Sequence, residues 1–343
     1  MQTLKLAIAG TGNVTKALLH LLERKRGLLR DDYGVQLMVS GIASGSRGCI
    51  ILPEGITPAR LSPYLEGKAR LEIPGSLTAQ NTVEMIEKAD AQIFIENTPV
   101  NYHTGQPAAD HIRAALEAEM HAITANKGPV AVEYNALRQL ARRKNRHFLF
   151  ESSVMDGAPI FSLFRGALPG TRLLAFRAIL NSTTNLILSL MEGGSRFEDA
   201  VLAAQKAGLA ETDPSGDIDG WDSAVKVAVL ARVLMDSDLR VEDVQREGIR
   251  GITPGMLAEA AAAGERYKLI CELRQEGGRL VGRVSPQRVA PSSPFYAING
   301  ATSIIQFETD TLTKLTLIEH DPTPDTTAYG EFADLLQVLK LEG

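Results

Sequence analysis

Leu4–Leu22, LKLAIAGTGNVTKALLHLL, is the stretch from which the fold of the first half of the chain is predicted. It opens with the short apolar run Leu4–Ala9, typical of a buried β-strand, and closes with apolar residues at helical spacing over Val14–Leu22. A strand, a glycine-rich turn and a helix in this order form the pyrophosphate-binding unit of dinucleotide-binding folds, because the helix N-terminus attracts negative charge. The residues predicted to contact a cofactor here are Gly10, Gly12, Asn13 and Val14.

The same turn departs from the full dinucleotide fingerprint at its last position. Thr15 stands where the fingerprint has a third glycine, which allows close packing of the helix on the strand. The competing interpretation is a plain turn between a strand and a helix, without a ligand. Its place directly behind the first strand favours the dinucleotide site.

Strand-like and helix-like segments continue to alternate as far as residue 150. This alternation predicts an α/β fold with a Rossmann-type, doubly wound parallel sheet. Residues 48–80 are rich in Pro and Gly, and we expect an inserted loop with short helices there. Ligands of such sheets bind at the carboxyl ends of the strands. Three of the predicted ends carry polar clusters, which begin at Glu96, Thr124 and Glu151.

The length of 343 residues predicts two domains. We expect residues 1–133 to form the dinucleotide-binding domain and residues 134–324 to form an α+β domain for substrate binding and oligomerisation. An amphipathic segment, 325–343, is predicted to be a helix that packs back on the first domain.

Composition narrows the class of protein. Hydrophobic residues make up 44% and the net charge is −5, values that fit a globular protein and argue against a nucleic-acid partner. No apolar run approaches the roughly 18 residues of a membrane span, and the N-terminus lacks the pattern of a signal peptide. Cys49 and Cys271 fit neither a disulfide framework nor a metal-ligand spacing. We therefore expect a cytoplasmic protein without a membrane partner.

The residues after the second predicted strand, Val35–Ala43, bear on the type of cofactor. A carboxylate at that point would bind the ribose 2′-hydroxyl of NAD, but the chain has Ser44, Ser46 and Arg47 instead. Small hydroxyls with an arginine suit a 2′-phosphate, which predicts NADP, with NAD as the alternative. The competing interpretation of Arg47 is a solvated loop residue.

A second informative stretch, ETDPSGDIDGWDSAVKVAVLARVL, spans residues 211–234. Its first half is an acidic loop, and its second half has the pattern of a helix that is apolar on almost every side and therefore buried. Asp222 and Lys226 lie four residues apart in that helix, so they share a face and can pair. The pair is either structural or part of an active site.

Five motifs resemble those of homoserine dehydrogenases. They are ENTPVN (96–101), TANKGP (124–129), LNSTTN (180–185), AQKAGLAETD (204–213) and DIDGWDSAVK (217–226). They occur in the family's order, and the resemblance covers residues 4–235.

The resemblance implies NAD(P)-dependent interconversion of L-aspartate 4-semialdehyde and L-homoserine, a small-molecule substrate. By the same resemblance Lys226 is the leading proton donor and Lys127 the second candidate, with Asp222 holding the lysine. The residues implied to bind the substrate are Glu211, Asp217, Thr183 and Lys127. Those implied to lie along the nicotinamide ribose are Asn97, Thr98 and Pro99, and those implied to bind a monovalent cation, Na⁺ or K⁺, are Glu151 and Val154.

Other features depart from the family pattern. Besides Thr15, Asp156 follows the predicted cation site, and residues 319–330 are acidic and rich in proline where the family has a glycine-rich segment. Within the motifs, Ser182 replaces the usual glycine before Thr183, and Leu209 stands where many members have an aromatic residue. These departures keep two alternatives open: a related oxidoreductase that acts on another small aldehyde or hydroxy acid, and a nucleotide-binding paralogue without catalysis. We also expect a homodimer or a higher homo-oligomer.

Overall fold

The computed structural model of the chain describes residues 1–67 and 69–342. The chain forms two compact units. Unit 1 comprises Met1–Pro159 and the C-terminal segment from Thr323, and unit 2 comprises Ile160–Pro322. The predicted first boundary, after residue 133, falls inside a helix of unit 1, Lys127–Arg143. The chain leaves unit 1 only after this helix and one further strand have completed the first sheet.

Seven strands of the described residues belong to unit 1 and six to unit 2. The strands of unit 1 are β1 (Gln2–Ala9), β2 (Val35–Ser44), β3 (Gly48–Ile56), β4 (Leu77–Ala79), β5 (Ile93–Glu96), β6 (His121–Thr124) and β7 (Phe148–Leu149). Those of unit 2 are β8 (Leu173–Ile179), β9 (Gln245–Arg246), β10 (Arg266–Glu276), β11 (Arg279–Val289), β12 (Ser303–Thr309) and β13 (Thr313–Glu319).

The α-helices are numbered along the whole described chain. They are α1 (Asn13–Arg24), α2 (Arg26–Asp31), α3 (Pro58–Leu65), α4 (Thr82–Lys88), α5 (Ala108–Glu117), α6 (Lys127–Arg143), α7 (Ser152–Met155), α8 (Ser182–Glu192), α9 (Phe197–Lys206), α10 (Ser215–Ile218), α11 (Trp221–Met235), α12 (Pro254–Ala262) and α13 (Pro324–Glu342).

The sheet of unit 1 has the order β4-β3-β2-β1-β5-β6-β7. β2, β1, β5, β6 and β7 run parallel to one another, so their carboxyl ends share one edge of the sheet. The predicted Rossmann-type sheet is confirmed.

The prediction for residues 48–80 is wrong in part. The apolar run within β3 pairs antiparallel with β2, and β4 pairs antiparallel with β3, so this segment extends the sheet instead of forming only a loop. Four consecutive buried residues, Cys49–Leu52, give β3 the burial that a strand needs. Lys68 lies outside the described residues.

The C-terminal helix α13 packs on α1 within unit 1. Of the segment 325–343, for which a helix is expected, Gly343 lies outside the described residues. Ala328, Phe332, Leu335 and Val338 recur along one face and are buried in the core of unit 1. Full burial of such a large apolar side chain stabilises the fold by about 1.5–3 kcal/mol. The helix is therefore an integral part of unit 1.

Unit 2 is an α+β unit built on the sheet β13-β12-β8-β10-β11-β9. Its pairs are antiparallel except that of β9 with β11. Helix α11 packs on β8, β10 and β11, and α8 packs on α9 and β10. In the described part of the chain, none of the helices combines the length and the apolar character that a membrane crossing requires.

Candidate functional site

The turn between β1 and α1 has the geometry of a pyrophosphate cradle. Gly10 has a φ of +101°, and a Cβ at this position would lie 2.2 Å from the carbonyl oxygen of Asn97, so only glycine fits. A Cβ on Gly12 would meet no protein atom within 4 Å. The protein itself leaves the space at Gly12 open, which suits a ligand that approaches the backbone.

No side chain of the helix neutralises the N-terminus of α1. Asn13 and Val14 open the helix behind Gly12, no side chain caps it, and its first turn has no acidic residue. Helix α4, in contrast, is capped by the side chain of Asn81, which accepts from the Glu84 N–H at 2.9 Å. Unpaired N–H groups at a helix N-terminus favour a phosphate. The residues at this turn therefore fit a dinucleotide.

Thr15 replaces the third glycine without opening a gap. Its side chain is buried, and its hydroxyl donates to the carbonyl oxygen of Gly10 at 3.1 Å. The Thr15 hydroxyl oxygen in turn accepts from Asn97 Nδ2 at 3.2 Å. Thr15 thus connects the turn to the end of β5 through hydrogen bonds.

Ser44 and Arg47 lie in different surroundings. Ser44 ends β2, and its Oγ accepts from the Thr11 hydroxyl at 3.2 Å, which places it beside the glycine-rich turn. Arg47 is only 7% exposed. Its guanidinium donates to three carbonyl oxygens, those of Tyr64, Leu65 and Ala69.

Arg47 therefore organises the segment after α3 and is not a solvated loop residue. The prediction that it meets a 2′-phosphate is not supported by this geometry, because three of its five N–H donors point at the backbone. Arg70, in the same region, is exposed and lies beside Gly48, at the start of β3. A Cβ at Gly48 would lie 3.8 Å from the Arg70 Nε.

The end of β5 carries the predicted ribose-binding residues Asn97, Thr98 and Pro99. Asn97 and Thr98 are half-buried and Pro99 is exposed. Glu96, to which the sequence assigned no role, is fully buried and accepts from the Thr98 N–H at 2.9 Å, from the Thr98 hydroxyl and from the Thr124 hydroxyl at 3.1 Å. Burial raises the pKa of Glu96 to about 7. Glu96 fixes the shape of this strand end.

Lys127 begins α6, directly behind β6. Asn126 caps the helix by accepting from the Gly128 N–H at 3.0 Å. The Lys127 ammonium lies 5.8 Å from the centroid of the Tyr102 ring, and the side chain is half-buried. The lysine is thus held at the carboxyl edge of the parallel strands, where a ligand of such a sheet binds.

Glu151 and Val154, the predicted cation ligands, are both buried behind β7. The Glu151 N–H donates to the Asp334 carboxylate at 2.7 Å, and the Thr327 hydroxyl donates to the Asp156 carboxylate. Asp156 thus contributes to docking α13. Among residues 1–67 and 69–342, no three His, Cys, Asp or Glu side chains converge as a metal site, so a cation here would need backbone oxygens as well.

In unit 2, the predicted pair forms inside the buried helix α11. Lys226 Nζ lies 3.2 Å from Asp222 Oδ2, with the two side chains 14% and 7% exposed. The ammonium also donates to the Leu180 carbonyl oxygen at 2.6 Å. An ammonium has three N–H donors, and the third has no partner within the described part of the chain. Lys226 can therefore donate to a ligand.

No role was predicted for Asn181 from the sequence. It caps α8, its Oδ1 accepting from the Thr184 N–H at 2.8 Å, while its Nδ2 donates to Asp217 at 2.7 Å and to Asp222 at 3.0 Å. One amide thus joins the acidic loop, the helix pair and the start of α8. Asn181 is the first asparagine of the motif LNSTTN, but neighbouring residues in the sequence do not show that its Nδ2 meets two carboxylates.

The other predicted substrate residues surround this centre unevenly. Thr183 is buried and its hydroxyl donates to the Leu209 carbonyl oxygen at 2.7 Å, which holds the chain before the acidic loop. Asp217 is half-buried beside Asn181, and Glu211 is exposed. Asp219 instead pairs with Arg250. Of the loop carboxylates, Asp217 is the one joined directly to Asn181.

The acidic, proline-rich segment 319–330 is not a loop throughout. It is helical from Pro324 onwards, and Asp325 stands in the first turn of α13, where a negative charge favours the helix dipole. Asp325 therefore stabilises the N-terminus of α13.

Comparisons with known proteins match the whole chain. Two family models match, "Homoserine dehydrogenase, NAD binding domain" over residues 10–151 and "Homoserine dehydrogenase" over residues 159–336. An NAD(+)-dependent homoserine dehydrogenase of Pseudomonas canavaninivorans is 33% identical over 98% of this chain and 97% of its own length. A homoserine dehydrogenase of Methanocaldococcus jannaschii is 33% identical over 96% and 97%. A hyperthermophilic archaeal homoserine dehydrogenase solved with NADPH has a TM-score of 0.83 at 26% identity, covering 100% and 99% of the two chains.

Proposed function

This chain belongs to the homoserine dehydrogenase family of oxidoreductases, and we propose that it interconverts L-aspartate 4-semialdehyde and L-homoserine with NADP(H), using Lys226 as proton donor. The observation that carries the proposed mechanism is the buried arrangement of Asn181, Asp222 and Lys226 in unit 2. This arrangement holds the Lys226 ammonium so that one of its three N–H groups is available to a ligand.

The proton step follows from that spare donor. When bound, the reduced nicotinamide would supply the hydride for the aldehyde carbon, so that negative charge develops on the aldehyde oxygen. Lys226 stabilises this oxygen and then transfers a proton to it, which yields the hydroxyl of homoserine. In the oxidative direction the neutral amine takes the proton back. Solvent restores the protonation state, because Lys226 is partly exposed.

Asp222 supports this step as a fixed counter-charge. Its carboxylate lies 3.2 Å from the ammonium and holds it in place. Lys127 is the second candidate donor, and we propose that it otherwise binds the substrate carboxylate, as an ammonium at the end of a parallel strand can.

An amino-acid substrate also brings an ammonium group. Asp217 and Glu211 supply the carboxylates that we propose to bind it, one beside Asn181 and one on the exposed part of the loop. The Thr183 hydroxyl donates its proton to the Leu209 carbonyl oxygen, so towards the substrate its oxygen can act as an acceptor.

The preference for NADP rests on the end of β2. It has no carboxylate to bind a ribose 2′-hydroxyl, and Ser44 and Ser46 offer small donors. Because Arg47 faces inward, we propose that the exposed Arg70 beside Gly48 meets the 2′-phosphate. NAD is the alternative, since one relative is named NAD(+)-dependent and one similar structure was solved in complex with NADPH.

A monovalent cation at Glu151 and Val154 is a further proposal. The oxygen-rich, buried surroundings suit Na⁺ or K⁺, which prefer hard oxygen ligands. Assays and thermal unfolding in Na⁺, in K⁺ and in tetramethylammonium test it. Equal activity and equal stability in all three salts would remove the cation from the account.

We also propose a cytoplasmic homodimer. Leu174 on β8 and Ile318 on the edge strand β13 are each 48% exposed, and exposed apolar side chains with an open sheet edge favour self-association. Cys49 and Cys271 are free thiols, which fits a reducing compartment. Light scattering behind size exclusion should give twice the chain mass; a monomer at all concentrations contradicts the dimer.

The function is tested with a panel of substrates and both cofactors. L-Aspartate 4-semialdehyde should be reduced far faster than succinic semialdehyde, which lacks the ammonium, and than simple 2-oxo acids. Faster turnover of a substrate without an amino group would point to the related oxidoreductase instead. Absence of turnover with every substrate would contradict the proposed function.

A further inference from the structure

Asn97 is held by two acceptors from opposite ends of unit 1. Its Nδ2 donates to Thr15 Oγ1 and to Glu331 Oε2, each at 3.2 Å. Its backbone N–H donates to the Ala9 carbonyl oxygen at 2.7 Å. The main chain of Asn97 is therefore tied to the end of β1, and its side chain joins Thr15 of α1 to Glu331 of α13.

These contacts determine which way the amide faces. A primary amide has two N–H donors and one acceptor oxygen, and both donors of Asn97 are used by the protein. Its Oδ1 has no donor within the described residues, and the side chain is half-buried. The side chain consequently offers a ligand an acceptor and no donor.

Glu331 lies where an ionised carboxylate is unfavourable. It is 1% exposed, and its Oε1 is buried without a hydrogen-bond partner among the described residues. Burial first, and then the neighbouring Asp334 and Glu96, raise the pKa of Glu331 to about 8, against the opposing effect of the Asn97 hydrogen bond. The remaining titratable groups on the elements packed against α13 are Lys16, His20, Glu23, Arg24, His121, Glu151 and Asp156.

We propose that Glu331 is a positioning residue for the cofactor: with Thr15 it occupies both N–H groups of Asn97, so that Asn97 Oδ1 accepts a hydrogen bond from a hydroxyl of the nicotinamide ribose. The ribose placement rests on the proposed function, whereas the hydrogen-bond chain rests on geometry alone. Glu331 acts from a helix that is distant in sequence and does not touch the ligand. Thr15, a departure from the fingerprint, gains a role in the same chain.

Two substitutions of Glu331 separate this role from packing. Glu331→Gln keeps an acceptor for Asn97 without a titrating group, and Glu331→Met keeps the apolar volume without an acceptor. Binding of NADPH alone is followed by its fluorescence at pH 7. The Kd should stay within about twofold for E331Q and rise roughly three- to tenfold for E331M, the effect of one lost hydrogen bond.

The Asn97→Ala background distinguishes positioning from stability. There E331M should weaken NADPH binding no further, because the amide that Glu331 orients is gone. An equal loss with and without Asn97 would mean that Glu331 only stabilises unit 1, and wild-type affinity in E331M would also overturn the proposal. If E331M does not fold, Thr15→Val decides, because it removes the other acceptor of Asn97 Nδ2 and keeps the side-chain volume: T15V should also weaken NADPH binding, and wild-type affinity in T15V would overturn the proposal.

Turnover of L-aspartate 4-semialdehyde by the unmodified protein tests the proposed function separately. Turnover together with unaltered NADPH binding by E331M rejects only the role of Glu331. Absence of turnover rejects the function, while the binding measurements still judge how Asn97 is held.

Discussion

Replacing Asn181 tests whether one amide holds the reactive pair in place. Its Oδ1 caps α8, and its Nδ2 donates to Asp217 and Asp222. The two functions can be separated. Asn181→Ser keeps a good N-cap and removes the donor, whereas Asn181→Asp keeps the cap and places a third carboxylate against the other two.

The expected magnitude follows from the contacts. A hydrogen bond to a charged group contributes about 1.5–3 kcal/mol, so the two bonds from Nδ2 together amount to roughly 3–6 kcal/mol. If half of that, about 1.5–3 kcal/mol, orients Lys226 through Asp222, kcat/KM falls by roughly ten- to hundredfold, since about 1.4 kcal/mol is a factor of ten. N181D should lose more than N181S at neutral pH, because its carboxylate repels Asp217 and Asp222.

The assay is the pH dependence of kcat/KM for NADPH-dependent reduction of L-aspartate 4-semialdehyde. In N181D the acidic limb should move to higher pH, since crowded carboxylates bind protons more tightly. Urea unfolding serves as the control for stability. Asn181→Ala should be less stable than N181S by about 1 kcal/mol, the contribution of a helix cap.

Two results would refute this reasoning. One is a wild-type pH profile in both N181S and N181D, which would show that Asp222 and Lys226 need no clamp. The other is an activity loss matched by equal unfolding in every variant, which would reduce Asn181 to a helix cap.

Three further outcomes follow from the structure. Glu96→Gln should reduce the pH dependence of stability. Because burial raises the pKa of Glu96 to about 7, this residue stabilises the fold most below its unfolded pKa near 4.5, and the contribution is lost as the pH rises through 7. Urea unfolding midpoints at several pH values measure the difference between the variant and the wild type. Arg47→Ala should destabilise the protein by about 1–3 kcal/mol, because it leaves buried carbonyl oxygens unpaired. The ratio of activity with NADPH to activity with NADH should stay unchanged. A changed ratio would contradict the inward orientation of Arg47. Arg70→Ala should raise KM for NADPH and leave KM for NADH unchanged, with the exposed Arg60→Ala as matched control; equal effects on both cofactors would exclude a 2′-phosphate contact.

Local patterns predicted the first unit well. Leu4–Leu22 predicts a strand, a turn and a helix because each element is encoded within its own residues. The buried helix α11 and its ion pair were predicted on the same grounds, because residues four apart always share a helix face.

Segments that depend on distant partners were not predictable in the same way. β3 is a strand because it pairs with β2, and its Pro- and Gly-rich flanks concealed this. The orientation of Arg47 is set by carbonyl oxygens about twenty residues further along the chain. A single sequence shows that an arginine follows the second strand, but not which acceptors it finds.

The same limit explains the missed site residues. Asn181 meets carboxylates more than thirty residues away, and Glu331 meets Asn97 from the far end of the chain. Both residue types are common at helix caps and on helix surfaces. Only the fold shows that they face buried polar groups.

The central claim is that Lys226 donates the proton in the reduction of L-aspartate 4-semialdehyde. The most direct measurement compares kcat of the wild type, Lys226→Met and the exposed control Lys206→Ala at saturating NADPH. We expect the control to match the wild type and K226M to lose a factor of about 10²–10⁴, the usual contribution of a general acid, with NADPH affinity unchanged. Wild-type turnover in K226M would contradict the account.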